Sequence, residues 1–104
     1  MGYRVDVTGP AEVEIFEAAS FIARFSPDAA DRWLAGLAER LLSLEMMPRR
    51  CSLAPESREF GAEIRQLIYG RRRNAYRIVF RIVEPDVVEV IAVRHGARDI
   101  MRRP

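Results

Sequence analysis

Residues 63–93 read EIRQLIYGRRRNAYRIVFRIVEPDVVEVIAV, three runs of strand character separated by turn residues. The middle run, Tyr76-Arg77-Ile78-Val79-Phe80-Arg81-Ile82, alternates with the period of a strand. That period puts Tyr76, Ile78, Phe80 and Ile82 on one face and Arg77, Val79 and Arg81 on the other. Before it, Glu63 to Tyr69 reads as a second strand, separated by the polar, basic turn Gly70-Arg71-Arg72-Arg73-Asn74. After it, Glu84-Pro85-Asp86 turns the chain, and Val87 to Val93, nearly all β-branched, reads as a third. Strands joined by turns this short pair antiparallel.

Upstream of the sheet lie helices. Tyr3-Arg4-Val5-Asp6-Val7 alternates like a half-buried strand and is stopped by Gly9-Pro10. Val13, Phe16, Ala19 and Ala23 recur at helical spacing with Ile15 and Ile22 beside them, predicting a helix from Pro10 to Phe25. Ser26-Pro27-Asp28 is the clearest start signal in the chain. The serine can cap free N–H groups, the proline needs none, and the carboxylate meets the positive end of the helix dipole. Ala30, Trp33, Leu34, Leu37, Leu41 and Leu44 then form a stripe of more than four turns, and Pro48 follows its end. The short link between the helices folds them into an antiparallel hairpin. Residues 48–62, with Pro48 and Pro55, read as irregular connection. The expectation is an α+β fold, β-α-α-β-β-β, with an antiparallel β-sheet packed against an N-terminal helical hairpin. One domain spans residues 1–104.

The composition agrees with such a domain. At 104 residues there is room for one core, and 49% hydrophobic with 31% charged residues is the balance of a globular chain. No apolar run approaches the ~20 residues that cross a bilayer, and the first residues offer no signal-peptide core. Asp6 stands where a myristoylation site needs Ser or Thr. The lone Cys51 excludes an intramolecular disulfide and a Cys-rich zinc site, which fits a reducing compartment. All seventeen basic residues are Arg. Lysine chemistry is therefore absent, and every cation can fork onto a carboxylate or phosphate. The charge is uneven: residues 1–45 carry four Arg against eight acids, residues 46–104 thirteen against seven.

The sequence holds no phosphate-binding glycine loop, no serine-nucleophile elbow and no zinc motif, so neither a metal nor a cofactor is expected. Cys51 beside Arg49 and Arg50 could have a lowered pKa, but an incidental thiol is the better reading. The chemistry-bearing residues are basic and late. Arg77 and Arg81 share the strand face opposite the apolar one, Arg65 stands on the neighbouring strand, and Arg94, His95 and Arg98 follow the last strand. These groups can converge on one open face that would hold a phosphate backbone or an acidic protein surface. The competing expectation is a solvated face whose arginines pair with Glu63, Glu84 and Glu89. The many large apolar residues of the hairpin, among them Phe21, Phe25, Trp33 and Leu37, suggest an exposed patch for a partner.

The ordered set Ile64-Arg65-Gln66-Leu67, Gly70, Tyr76-Arg77-Ile78-Val79-Phe80 and Val93-Arg94-His95-Gly96-Ala97-Arg98-Asp99 is similar to the RelE/ParE superfamily of bacterial toxins. The ending His-Gly-Ala-Arg-Asp is similar to the ParE branch, also called plasmid stabilisation proteins. The resemblance covers essentially the whole chain. It implies the toxin of a type II toxin–antitoxin pair, cytoplasmic, neutralised in a hetero-oligomer by a small ParD-like antitoxin. ParE-like members poison DNA gyrase without chemistry of their own; RelE-like members cleave mRNA on the ribosome. In the RNase reading Arg65, Arg77, His95 and Arg98 would carry catalysis. In the gyrase reading Arg65, Arg77, Arg81, Arg94, His95 and Arg98 would contact the target, and Phe21, Phe25, Trp33 and Leu37 the antitoxin. The sequence favours the gyrase reading. Leu67 breaks the basic pair of the RNases, no Tyr follows Tyr76, and arginine is a poor acid or base. His95 with Glu63 is the acid–base pair the sequence offers.

Overall fold

The structure, a computed structural model, describes residues 2–96. The elements are β1 (Arg4–Val7), α1 (Gly9–Ala23), α2 (Pro27–Ser43), β2 (Ser52–Leu53), α3 (Pro55–Phe60), β3 (Ile64–Tyr69), β4 (Tyr76–Val83) and β5 (Val87–His95). They form a five-stranded sheet in the order β1-β5-β4-β3-β2. The meander β3-β4-β5 pairs antiparallel, as its short turns require. β1 pairs parallel with β5, because the helical hairpin carries the chain across the sheet before β5 forms; the sheet is therefore mixed.

Both helix starts follow from side chains. Ser26 Oγ accepts the Ala29 N–H at 3.1 Å, with Pro27 in the first turn. Thr8 caps α1 by accepting from Ala11 N at 3.3 Å, and its hydroxyl also donates to the Val90 carbonyl at 2.9 Å. One threonine thus starts the helix and ties it to β5.

The main core lies between hairpin and sheet. Leu37, Leu44, Ile78, Phe80, Val88, Val90 and Val93 fill it, with Ala11 from α1 and Cys51 from the connection. Burial pushes the Cys51 thiol above its usual range despite Arg50 and Arg65 nearby, so the arginines do not activate it. On α1 the inward face is Ala11, Ile15 and Ala19, whereas Val13 and Phe16 point to solvent. The helix is apolar nearly all round, so periodicity alone did not show which stripe goes in.

The connection is more ordered than its prolines suggest. β2 pairs with β3, and Pro55 opens α3, which ends at Gly61 in a left-handed conformation (φ 66°). This excursion covers part of the sheet's second face, where Ala54, Ile64, Val79 and Ala92 make a smaller core. Opposite Val79–Phe80, β5 carries a bulge that inserts Ile91.

Candidate functional site

The register distributes the basic residues over two faces of the sheet. Arg65 sits opposite Phe80 and thus on the hairpin side, whereas Arg77 and Arg81 lie on the second face. Arg94 is opposite Arg77 and shares that face; His95 is opposite Tyr76 and faces the hairpin. β5 runs through His95, so Arg94 and His95 are strand residues that point apart, rather than a tail after the strand. The expected convergence of Arg65, Arg77, Arg81, Arg94 and His95 on one open face does not occur. Arg98 lies outside the described residues.

Each of the four described candidates, Arg65, Arg77, Arg81 and Arg94, is also engaged. Arg77 is only 3% exposed. Its Nη1 and Nη2 fork onto Glu56 of α3 at 3.0 and 2.6 Å, Nη1 also reaches Gln66 at 2.9 Å, and Nε donates to the Gly96 carbonyl at 3.1 Å. Glu56 is itself fully buried. Arg77 is therefore an internal strut joining α3, β3, β4 and the end of β5, and not a surface cation. Arg65 donates to Glu63 at 2.8 Å and to the Cys51 carbonyl at 2.6 Å. Arg81 pairs with Glu89 directly across the strands at 2.6 Å and stays half exposed. Arg94 Nε lies 2.8 Å from Glu14 of α1, whose other oxygen accepts the Val93 N–H at 2.8 Å. Glu14 closes the edge of β5 beyond the end of β1, where that amide would lack a strand partner. The pairings with Glu63 and Glu89 match the competing expectation; Glu84 instead bonds Arg49, at 2.9 Å.

His95 and Glu63 stand at opposite ends of the sheet. Ile64 pairs in the Arg81 row and Tyr69 in the Tyr76–His95 row. About six residues at ~3.3 Å each put Glu63 and His95 roughly 20 Å apart along the strands alone. Glu63 is moreover held by Arg65 and Arg49. The ring of His95 meets Tyr76 edge to face at 5.0 Å. Burial pushes the Tyr76 phenol above its ordinary range, so it is protonated at neutral pH and cannot serve as a base.

The hairpin presents the other surface. Phe16 (71%) and Phe25 (76%) are exposed, as are Val13 and Phe21. Phe21 and Phe25 meet edge to face at 5.4 Å, holding one another in the solvent-facing cluster. At Phe16 a groove of about 360 Å³ runs between α1, α2 and β1, lined also by Val7, Ile15, Ala19 and Leu34 with Glu12. Trp33 is half buried, between Tyr69 and Tyr76. Leu37 is 2% exposed in the main core, so no partner can reach it and it drops out of the expected antitoxin surface. Val13 and Phe16, whose helical spacing marked α1 in the sequence, lie instead on the exposed face.

No described helix is long and apolar enough to cross a membrane. Among the described residues no group of three His, Cys, Asp or Glu could hold a metal.

No curated protein sequence matches the chain. Among solved structures, a chain of the chromosomal ParDE TA system from P. aeruginosa shares the fold, with a TM-score of 0.69 at 15% identity. The match covers 89% of this chain and 95% of that one. A family described as the ParE toxin of type II toxin-antitoxin system, parDE, matches residues 5–100. The helical hairpin, the five-stranded mixed sheet and this match over nearly the whole chain agree: the chain belongs to the ParE toxin family.

Proposed function

We propose that this ParE toxin acts on DNA gyrase and is silenced by a ParD-like antitoxin laid along the α1–α2 face. The observation that carries the gyrase reading is the dispersal of the acid–base candidates. RNA cleavage by 2′-OH attack needs a base, an acid and a cation around one phosphate. Among the described residues, Arg77 is tied up inside, Arg65 is on the other face, and His95 is far from Glu63. A gyrase poison needs shape and charge alone, and the half-exposed Arg81 together with the basic turn Arg71–Arg73 supplies charge. The antitoxin reading rests on the exposed Val13, Phe16, Phe21 and Phe25 of the hairpin and on the apolar groove at Phe16, the geometry that receives an amphipathic helix. The cytoplasm, where gyrase and antitoxin would both be met, is the compartment this reading requires.

Expression without the antitoxin, followed by separate readouts of DNA breaks and of mRNA ends, tests the choice. The expected result is gyrase-dependent DNA breaks, reproduced by the purified chain trapping gyrase on cleaved DNA, with ribosome-bound mRNA intact. Codon-phased mRNA cuts in a translating extract, lost in His95→Ala, would transfer the chain to the RelE-like, ribosome-dependent mRNA endonucleases.

A further inference from the structure

A second pocket of about 360 Å³ opens where β4 begins and β5 ends. Phe21, Ile22, Trp33, Tyr76 and His95 wall it, and Asn74 stands on its rim. Its size lies within the ~300–1,000 Å³ of small-molecule sites. The walls are mostly flat rings: Trp33 and Tyr76 meet edge to face at 5.0 Å, and Tyr76 and His95 at 5.0 Å again. Among the described residues, no hydrogen bond occupies the side chains of Asn74, Tyr76 or His95. The pocket therefore combines apolar ring faces with an amide, a phenol and an imidazole whose side chains no described residue hydrogen-bonds.

The rim is basic. The Arg24 guanidinium lies 6.0 Å from the centre of the Phe21 ring. Arg71, Arg72 and Arg73 run directly into Asn74, and all three are exposed. Among the described residues none of these four arginines is paired with a carboxylate. Asp28 and Asp31 on the first turns of α2 flank pocket residue Ala29 in sequence, against the four arginines Arg24 and Arg71–Arg73.

An apolar side chain would use the rings but leave the polar groups and the charge idle. A planar heteroaromatic ring carrying an anion uses all three. We propose that this pocket takes a nucleobase bearing a phosphate, its ring against Phe21, Trp33 and Tyr76 and its edge toward Asn74 and His95. The phosphate then meets Arg24 and the Arg71–Arg73 turn. Stacking on aromatic side chains with nearby arginine is the general means by which proteins hold unpaired bases. The same chemistry is offered by a free mononucleotide and by an unpaired base within a strand. The site would share the Arg71–Arg73 turn with the proposed gyrase surface, and Phe21 and Trp33 with the antitoxin face, but binding of a small ligand is read without either partner.

Trp33 is the sole tryptophan, so the pocket carries its own reporter. Titration of the full chain with 5′-AMP, 5′-GMP, 5′-CMP and 5′-UMP, and with short single-stranded DNA and RNA oligomers, should quench its fluorescence saturably. Ribose 5-phosphate, which lacks the base, should not. Phe21→Ala and His95→Ala should each weaken binding about tenfold, and Leu42→Ala, exposed elsewhere on α2, should leave it unchanged. A mononucleotide that binds as tightly as the oligomers identifies a free nucleotide as the ligand. Oligomers that bind at least about tenfold tighter, with the gain lost when Arg71–Arg73 are replaced by Ala, identify a strand. The absence of saturable quenching by every base-bearing probe would overturn the proposal. So would quenching by ribose 5-phosphate, or titrations unchanged in both pocket variants, whose folding is checked by circular dichroism.

Discussion

At the scale of the residue, the sequence and the structure part most sharply at Arg77. Its position in the strand alternation is correct: it lies opposite the apolar face. What alternation cannot show is whether that second face meets water. It is covered there by α3, which brings the carboxylate of Glu56 to meet the guanidinium in a two-pronged pair. A buried glutamate is rare enough that Glu56 reads in sequence as a surface residue. Arg77→Ala leaves that carboxylate buried without its guanidinium, at a cost of about 3–5 kcal/mol. For a domain of this size the thermal midpoint should fall by more than about 10 °C, measured by circular dichroism. A fall of only a few degrees would show that the pair does not hold the fold. A loss of toxicity in Arg77→Ala consequently reports unfolding. Arg81→Ala, half exposed with a partner at the surface, should move stability by only ~0.5 kcal/mol and is the cleaner probe of the target surface.

At the scale of the element, α2 was legible because each of its signals is local. Ser26, Pro27 and Asp28 specify the start within three residues, and the stripe from Ala30 onward faces one way. The β2–α3 excursion was not, because its signals are weak and its support is tertiary. β2 has two residues, α3 has six, and Ala54 offers no side chain to cap the helix. Pro55 and Gly61 mark the two ends of α3, yet they equally mark a loop. The seat of α2 on the sheet depends on a residue that patterning does not single out. Gly36 faces Tyr69 so closely that an added Cβ would collide with the tyrosine hydroxyl and touch its ring. That hydroxyl donates to the Trp33 carbonyl at 2.7 Å and cannot swing away without losing the bond. Gly36→Ala gains about 1 kcal/mol of helix propensity but must displace Tyr69 or the helix, an overpacking cost of about 1–3 kcal/mol. The expected outcome is a lower thermal midpoint and an altered Trp33 emission. A stabilised variant with unchanged emission would mean that Tyr69 yields freely.

At the scale of the whole molecule, the sheet meander and the helical hairpin were both legible, but which surface of the hairpin is left bare was not. The core needs one stripe from each helix. Small residues suffice on α1, where Ala11 and Ala19 bring the helix close to β5, and Thr8 fixes it there. Close seating by alanines leaves the larger Val13, Phe16, Phe21 and Phe25 outside. An isolated chain then exposes aromatic surface that a partner would bury, and the groove beside Phe16 sets where a helix would lie. Phe16→Asp and Phe25→Asp place a charge on this surface without touching the core, so each should change stability by no more than ~0.5 kcal/mol. If the antitoxin lies here, the same substitutions remove aromatic anchors, each worth ≥ ~2 kcal/mol, and weaken the complex about thirtyfold or more. Calorimetric titration with the cognate antitoxin measures that loss, and the variants should stay toxic when the two are co-expressed. Undiminished affinity in both variants would place the antitoxin on another face.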